Sequence, residues 1–260
     1  MNAREPLKYK AAIFFDNDAD YIADVRRDCP RINAVKVSAL DIIRDIDYTK
    51  EPLAGFIRER EGDGPRGNFY VNMMKLNKKP TDLYDHEGGF DVVADKEILD
   101  QWIVDTEGLE PRVALFDWDQ TLSKFGAIEL DALQYPAANY EHILLYLLGG
   151  RERLAAIRQM FKDLQAKRVH AIILTNNGAS RFKEFRSMVG LLGRVRVIYS
   201  GAAPYHGDKG KTLRDMEEFS EMCIGLSGGK LSGKKRSRTK YRRQTYRKHS
   251  RTGTKRLRKH

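Results

Sequence analysis

The stretch Val113-Ala114-Leu115-Phe116-Asp117-Trp118-Asp119-Gln120-Thr121-Leu122 decides the fold predicted for this chain. Its first half is continuously apolar, as in a parallel strand that is buried on both faces. Polar residues follow at its carboxyl end, where open α/β sheets bind their ligands. Residues two apart in an extended chain point the same way, so Asp117 and Asp119 are expected to face one site. Two such carboxylates repel each other unless a cation or a proton joins them.

Other apolar runs repeat this pattern along the chain and alternate with helix-like segments. The predicted strands are Ala11–Phe15, Ile32–Val37, Val113–Phe116, His170–Leu174 and Val195–Tyr199. Helices are predicted over residues 19–29, 38–47, 95–106, 140–148, 151–167, 180–188 and 211–222. This alternation predicts a three-layer α/β fold, with a Rossmann-like parallel sheet and helices on both faces. The polar strand ends would then converge on one crevice.

Composition limits the classes of protein to consider. The chain has 260 residues, 41% of them hydrophobic, which is enough for a substantial core. No run approaches the ~20 apolar residues of a membrane helix, and no signal-peptide segment opens the chain, so we expect no membrane partner. Only Cys29 and Cys223 occur. We therefore expect no disulfide, each cysteine being a small buried or bystander side chain, and an intracellular protein, cytoplasmic or nuclear, that is not secreted.

The net charge of +11 comes from one end of the chain. Residues 228–260 contain 15 Lys+Arg and no Asp or Glu, whereas residues 1–227 carry 32 basic and 36 acidic residues, a net of −4. We therefore predict a folded domain over 1–227 and a disordered basic tail over 228–260. The tail suits contact with nucleic-acid phosphates, and its alternative roles are solubility and targeting.

The residues at the strand ends fit phosphoryl chemistry. An aspartate such as Asp117 can attack phosphorus to form an aspartyl-phosphate. Asp119 could protonate the leaving oxygen and later activate water. Thr175 could donate to a phosphate oxygen, and Lys209 or Lys211 could neutralise its charge. Mg²⁺ takes oxygen ligands, so a Mg²⁺ site needs a further carboxylate, and Asp16 is the best candidate to supply it.

Three segments resemble motifs of the haloacid dehalogenase (HAD)-like hydrolases. Leu115-Phe116-Asp117-Trp118-Asp119-Gln120-Thr121-Leu122 looks like the first motif, Asp-x-Asp-x-Thr after an apolar strand. Ile172-Ile173-Leu174-Thr175-Asn176-Asn177 resembles the second and implies phosphate binding by Thr175 and Asn176. Lys209-Gly210-Lys211-Thr212-Leu213 resembles the third, in which the first lysine is the match; Lys209 is therefore favoured and Lys211 is the alternative.

The family's fourth motif, an acidic pair that ends a strand, resembles the segment from Ala12 to Val25 near the start of the chain. The motif order is then fourth, first, second, third, which implies a circularly permuted HAD-like domain. The resemblance implies the sheet order 32–37, 11–15, 113–116, 170–174, 195–199. Residues 38–110 would form a long crossover or insert between the first two of these motifs in the chain.

The resemblance also implies a metal site and an open architecture. Asp16, Asp117 and the main-chain carbonyl of Asp119 would bind Mg²⁺, with Asn17 as a further ligand where the family has a second acid. About 50 residues separate the family's first two motifs, too few for a large domain, so we expect a small cap or none.

These features predict a Mg²⁺-dependent phosphatase that acts on phosphorylated substrates, such as nucleic-acid or protein phosphates, through an aspartyl-phosphate. An alternative is a nucleic-acid-binding protein on a HAD-like scaffold with weak catalysis. A third interpretation is a nucleotide or sugar phosphate phosphatase in which the tail only addresses the protein.

Overall fold

The structure is a computed structural model that describes residues 7–37, 89–123, 137 and 140–223. The predicted helix over 38–47, most of the 38–110 crossover, residues 124–136, 138 and 139 between the first two predicted motifs, and the basic tail over 228–260 fall outside these residues. Within the described ranges, no helix combines the length and the apolar character needed to cross a bilayer.

Five parallel strands form one sheet. They are β1 (Ala11–Asp16), β2 (Ile32–Lys36), β3 (Arg112–Phe116), β4 (Val169–Thr175) and β5 (Val195–Tyr199). Their spatial order is β2-β1-β3-β4-β5, and every pairing is parallel. The predicted fold class and sheet order are therefore confirmed. The central strands β1 and β3 are buried throughout, as their continuous apolar runs predict, whereas the edge strand β2 alternates.

Helices connect the strands and cover both faces of the sheet. The described α-helices are α1 (Ala19–Asp28), α2 (Ala94–Asp105), α3 (Tyr140–Leu147), α4 (Arg151–Ala166), α5 (Lys183–Val189) and α6 (Lys209–Arg214). Alternate residues of β1 face different layers, because side chains alternate along a strand. Phe14 belongs to a core cluster with residues of α1 and α6, whereas Phe15 belongs to a second cluster with residues of α2, α3, α4 and α5.

Two predicted helices are shorter in the structure. The helix predicted over 180–188 is interrupted at Phe182, whose backbone is extended, so a 3₁₀ turn over Gly178–Arg181 precedes α5. The helix predicted over 211–222 begins earlier, at Lys209, and ends at Arg214. Met216 is extended there, and a separate 3₁₀ turn buries Phe219 in the core. Local periodicity does not reveal such breaks, because buried residues continue beyond each of them.

The prediction that the cysteines are unpaired is wrong, because the structure joins Cys29 and Cys223 in a disulfide. Cys29 follows the last residue of α1, and the chain around Cys223 runs beside it, since the Arg31 amide donates to the Met222 carbonyl over 3.2 Å. The two cysteines are 194 residues apart in the sequence. No local pattern indicates that these distant segments meet.

Candidate active site

The carboxyl ends of β1 and β3 bring two aspartates side by side. Phe15 pairs with Phe116 in the parallel ladder, so Asp16 and Asp117 follow at the same level. The ladder extends to this level, because the Asp117 amide donates to the Phe15 carbonyl over 2.9 Å. Asp16 is 0% exposed and Asp117 is 4% exposed. Burial of two neighbouring carboxylates requires compensation by a cation or a proton.

Lys209 supplies that cation. Its Nζ lies 2.7 Å from Asp16 Oδ2 and 2.5 Å from Asp117 Oδ1, and its side chain is fully buried. The same ammonium lies 4.2 Å from the centre of the Tyr21 ring, within reach of a cation–π contact. We call Asp16, Asp117 and Lys209 the ion-pair triad. It joins β1, β3 and α6 over sequence separations of 92 and 193 residues.

A glycine allows α6 to approach closely enough for this contact. Asp208 caps the helix, its side chain accepting from the Lys211 amide over 2.8 Å. A Cβ atom added at Gly210 would lie 2.2 Å from the Asp24 carbonyl oxygen of α1. Only glycine therefore fits between the two helices, and its neighbour Lys209 is held beside the two carboxylates.

The ion-pair triad contains two carboxylates and one ammonium, and the pKa values of both carboxyl groups are raised. Burial raises the pKa of Asp16 to about 7, with a further rise from Asp117 and a partial offset by Lys209. Burial likewise raises the pKa of Asp117 to about 6, opposed by Lys209 and assisted by Asp119. Burial alone would lower the pKa of Lys209, but the two carboxylates raise it overall. The lysine is therefore charged at neutral pH, and the raised pKa of Asp16 lets the carboxylate pair retain a proton up to about pH 7.

Asp119 lies on a tight turn beyond the end of β3. Residues Trp118–Leu122 form an irregular turn, in which Asp119 is extended and Gln120 has a φ of 58°, and the Ser123 amide closes it by donating to the Trp118 carbonyl over 2.8 Å. The buried Trp118 ring packs edge-on against Phe185 at 5.3 Å, which anchors the turn to α5. The Asp119 carboxylate is half-buried and accepts from Asn177 Nδ2 over 2.9 Å. Asp117 and Asp119 are thus close enough to interact, as predicted, but they have different partners.

The end of β4 contributes hydrogen-bonding groups. Thr175 is buried, and its Oγ1 accepts from the Asn177 amide over 3.0 Å. The Asn177 side chain bonds Asp119, although the sequence analysis did not select it as a site residue. The Asn176 side chain is directed elsewhere: its Nδ2 donates to the Gly207 carbonyl over 3.1 Å, and its Oδ1 accepts from Ser200 Oγ. Thr175 therefore lies at the carboxyl end of β4, on the same edge of the sheet as Asp16 and Asp117, whereas the Asn176 side chain holds the loop after β5.

The side chains of two further predicted site residues contact groups other than the two carboxylates. Lys211 Nζ is 3.3 Å from the Pro204 carbonyl oxygen, on the outer side of α6. Asn17 Nδ2 donates to Gln120 Oε1, and its Oδ1 accepts from Thr121 Oγ1, both over 3.3 Å. Asn17 thus fastens the end of β1 to the turn that carries Asp119. Of the two lysines, Lys209 is the one brought to the carboxylates.

The donor set fits a hard divalent cation. Asp16 and Asp117 offer carboxylate oxygens, and the main-chain carbonyl of Asp119 is the third oxygen donor predicted nearby. Mg²⁺ is commonly bound by one or two carboxylates and completes its coordination with water. Within the described residues, no group of three or more His, Cys, Asp or Glu could hold a metal ion. A Mg²⁺ site here would therefore rest on two side-chain carboxylates.

No local sequence pattern indicates Arg153, a further residue that anchors the turn over Trp118–Leu122. This guanidinium of α4 is buried and donates to four main-chain carbonyls. Its Nη1 contacts Leu122 at 2.7 Å and Leu148 at 2.8 Å, and its Nη2 contacts Thr121 and Phe90 at 3.1 Å each. Burial lowers the pKa of Arg153 to about 10, so it remains charged at neutral pH. Its position in an amphipathic helix gives no local signal of this role.

Comparison with known proteins gives no relative for this chain. No family model matches the sequence, and neither a curated protein nor a solved structure matches it significantly. The described residues and their geometry are therefore the basis for a function.

Proposed function

We propose that this chain is a Mg²⁺-dependent phosphatase that works through an aspartyl-phosphate, on a circularly permuted HAD-like domain. The observation that carries the proposal is the ion-pair triad, in which buried carboxylates from two neighbouring strands share one buried ammonium. A second acid, Asp119, stands two residues beyond one of these carboxylates. The sheet order β2-β1-β3-β4-β5 also supports the permuted arrangement.

Asp117 is the proposed nucleophile. Its carboxylate oxygen attacks phosphorus, and the bond from phosphorus to the ester oxygen breaks. Asp119 donates its proton to the departing oxygen, so an alcohol leaves. Lys209 and the hydroxyl of Thr175 are the donors proposed for the phosphoryl oxygens. The product of this step is an aspartyl-phosphate and an ionised Asp119.

The second step regenerates the carboxylates. Asp119, now ionised, accepts a proton from water while the water oxygen attacks phosphorus. The bond between phosphorus and the Asp117 oxygen breaks, which releases phosphate and restores the nucleophile. Asn177, which donates to Asp119 Oδ1 over 2.9 Å, orients this carboxyl group for both proton transfers.

Asp16, Asp117 and the main-chain carbonyl of Asp119 are the residues that would hold Mg²⁺. When bound, this ion offsets negative charge on the phosphoryl group. Lys209 shares the same two carboxylates. Its ammonium keeps Asp117 in the ionised form that nucleophilic attack requires, since an adjacent cation favours a carboxylate.

The test is hydrolysis of p-nitrophenyl phosphate with Mg²⁺ by the full chain and by Asp117→Asn. We expect this isosteric change to lower kcat by about a thousandfold or more, because it removes the nucleophile. Asp105→Asn is the matched control, since this carboxylate is exposed at the end of α2 and contacts only Gln101 in the described structure. Equal Mg²⁺-dependent rates for wild type and Asp117→Asn would contradict the proposal.

The second candidate function is nucleic-acid binding with weak catalysis. It rests on the 15 Lys+Arg of residues 228–260 and on Asn17, whose amide is directed to the turn rather than to the carboxylates. The same preparation distinguishes it. A chain without phosphatase activity that binds DNA or RNA in a salt-dependent way, and loses that binding with residues 228–260, would favour this alternative.

A further inference from the structure

A cavity of about 550 Å³ lies at the other end of the sheet. It adjoins the amino ends of β1, β4 and β5, whereas the candidate active site adjoins carboxyl ends. Its polar lining consists of Tyr9, Gln165, Arg168, His170, Arg194 and Arg196. Its volume lies within the range of roughly 300–1,000 Å³ that is usual for small-molecule sites.

The lining of this cavity is strongly basic. It contains three arginines and one histidine, and no Asp or Glu lines it. Arg196 forms an ion pair with Glu218 over 2.5 Å. Within the described part of the chain, Arg168 and Arg194 form no ion pair. The cavity therefore has a positive charge that the described residues do not neutralise.

The conformation of Arg168 is a second observation at the same place. This residue follows the end of α4 and precedes β4, with a φ of 55°. That region of backbone space favours glycine or asparagine after a helix, and a longer side chain is disfavoured there. Non-glycine residues held in such conformations cluster at ligand sites. An arginine at this position therefore points to a use for its side chain.

The histidine of the cavity is fixed by a buried tyrosine. Tyr9 Oη lies 3.1 Å from His170 Nδ1, and the two rings meet edge-on at 5.6 Å. Burial, assisted by Glu218, raises the pKa of Tyr9 to about 12. The hydroxyl therefore stays neutral and adds no negative charge beside the arginines.

We propose that this cavity binds a nucleotide through its di- or triphosphate. Guanidinium groups match phosphate oxygens in fork geometry, and several of them suit a ligand that carries several negative charges. Leu7, Val169 and Val195 supply apolar lining that a base or sugar ring can cover. The site is separate from the candidate active site and does not depend on the proposed phosphatase activity.

The test uses α,β-methylene-ADP, which resists hydrolysis, titrated into the full chain in EDTA by calorimetry. Arg168→Gly combined with Arg194→Ala removes two guanidinium groups, and glycine suits the backbone at position 168. We expect about a tenfold or greater loss of affinity, because charge-assisted hydrogen bonds to phosphate are lost. Lys183→Ala with Arg186→Ala is the control, since it removes the same charge from exposed positions of α5. Thermal unfolding verifies that each variant is folded.

Location and ligand class are tested with the same protein. The imidazole NMR signals of His170, assigned with a His170→Gln variant, should shift on titration with the nucleotide analogue. Equal affinities of wild type and the arginine variant, or an unshifted His170, would overturn the proposal. Binding of inorganic pyrophosphate as tightly as the analogue would also overturn the proposal, because the apolar lining would then contribute nothing to affinity for the base or sugar. Tighter binding of a ten-nucleotide DNA strand, lost in the arginine variant, would assign the cavity to nucleic acid instead.

Discussion

The two aspartates that follow strand β3 have different environments on its two sides. On the β1 side, Asp117 is buried and its partners are charged, namely Lys209 and the neighbouring Asp16. On the β4 side, Asp119 is half-buried and its carboxylate accepts from the neutral amide of Asn177. The two aspartates are only two residues apart in the sequence. Their environments, and not their residue type, give them different chemistry.

This difference has an energetic meaning. Buried charges depend on one another for compensation, so removal of one member of the ion-pair triad leaves the others uncompensated. A hydrogen bond between an amide and a solvated carboxylate contributes much less, because water can replace it. We therefore expect the β1 side to control stability and ionisation of the site, and the β4 side to control proton transfer.

The largest effect is expected when the ammonium is removed. Lys209→Met should lower the free energy of unfolding by about 3–5 kcal/mol, since two buried carboxylates lose their cation. Hydrolysis should fall as well, because Asp117 would hold a proton more readily. Urea unfolding and p-nitrophenyl phosphate turnover measure the two effects.

Lys211→Met is the control for this change, two residues along the same helix. Its ammonium contacts only the Pro204 carbonyl in the described structure, so its removal should cost less than about 0.5 kcal/mol. Similar losses of stability for both variants would show that the ion-pair triad has no special role.

A smaller effect on stability, but a large one on rate, is expected on the β4 side. Asp119→Asn should lower kcat by about 10²–10⁴-fold, since it removes the general acid and base. The free energy of unfolding should change by less than about 1 kcal/mol, because Asp119 is only half-buried and water can replace the hydrogen bond that it accepts from Asn177. The rate should fall further for an alkyl phosphate than for p-nitrophenyl phosphate, since a poor leaving group needs the proton more. Equal losses for the two esters would contradict the assignment of Asp119 as the acid.

A dependence of stability on pH is also expected from the β1 side. The pKa of Asp16 is raised to about 7 in the folded state, whereas an unfolded aspartate titrates near 3.9. Between these values the folded chain binds the extra proton, so this group's contribution to stability is fully present below about pH 4 and is lost as the pH rises through about 7.

Urea unfolding of wild type and Asp16→Asn in EDTA, from pH 4 to pH 8, isolates this contribution. The stability of wild type relative to the variant should decrease with rising pH in that window. If the free energies of unfolding of wild type and Asp16→Asn changed in parallel with pH, the pKa of Asp16 would not be raised in the folded state.

Much of the fold and part of the site could be predicted from the sequence, for reasons that are local. Continuous apolar runs gave the strands, and the acids at their ends indicated where side chains would meet. The resemblance of motifs supplied the sheet order, which periodicity alone does not contain. It also favoured Lys209 over Lys211, in agreement with the lysine that contacts the carboxylates.

The features that were missed depend on contacts between distant segments. Arg153 reads as one more polar residue of an amphipathic helix, yet it binds carbonyls 31 and 63 residues away. The pairing of Cys29 with Cys223 spans 194 residues. Asn176 and Asn177 are adjacent and of the same type, and only the tertiary structure decides that the second one meets Asp119.

The long sequence separations within the ion-pair triad have a consequence for biosynthesis. Strand β1 is made before its neighbour β3, which follows 101 residues later, and Lys209 follows Asp16 by 193 residues. A ribosome-bound chain that ends before α6 would hold two aspartates at a forming sheet without their ammonium, which opposes closure of that end. Pairing over such distances is also slow. The nascent chain should therefore complete this region late, after α6 has left the exit tunnel.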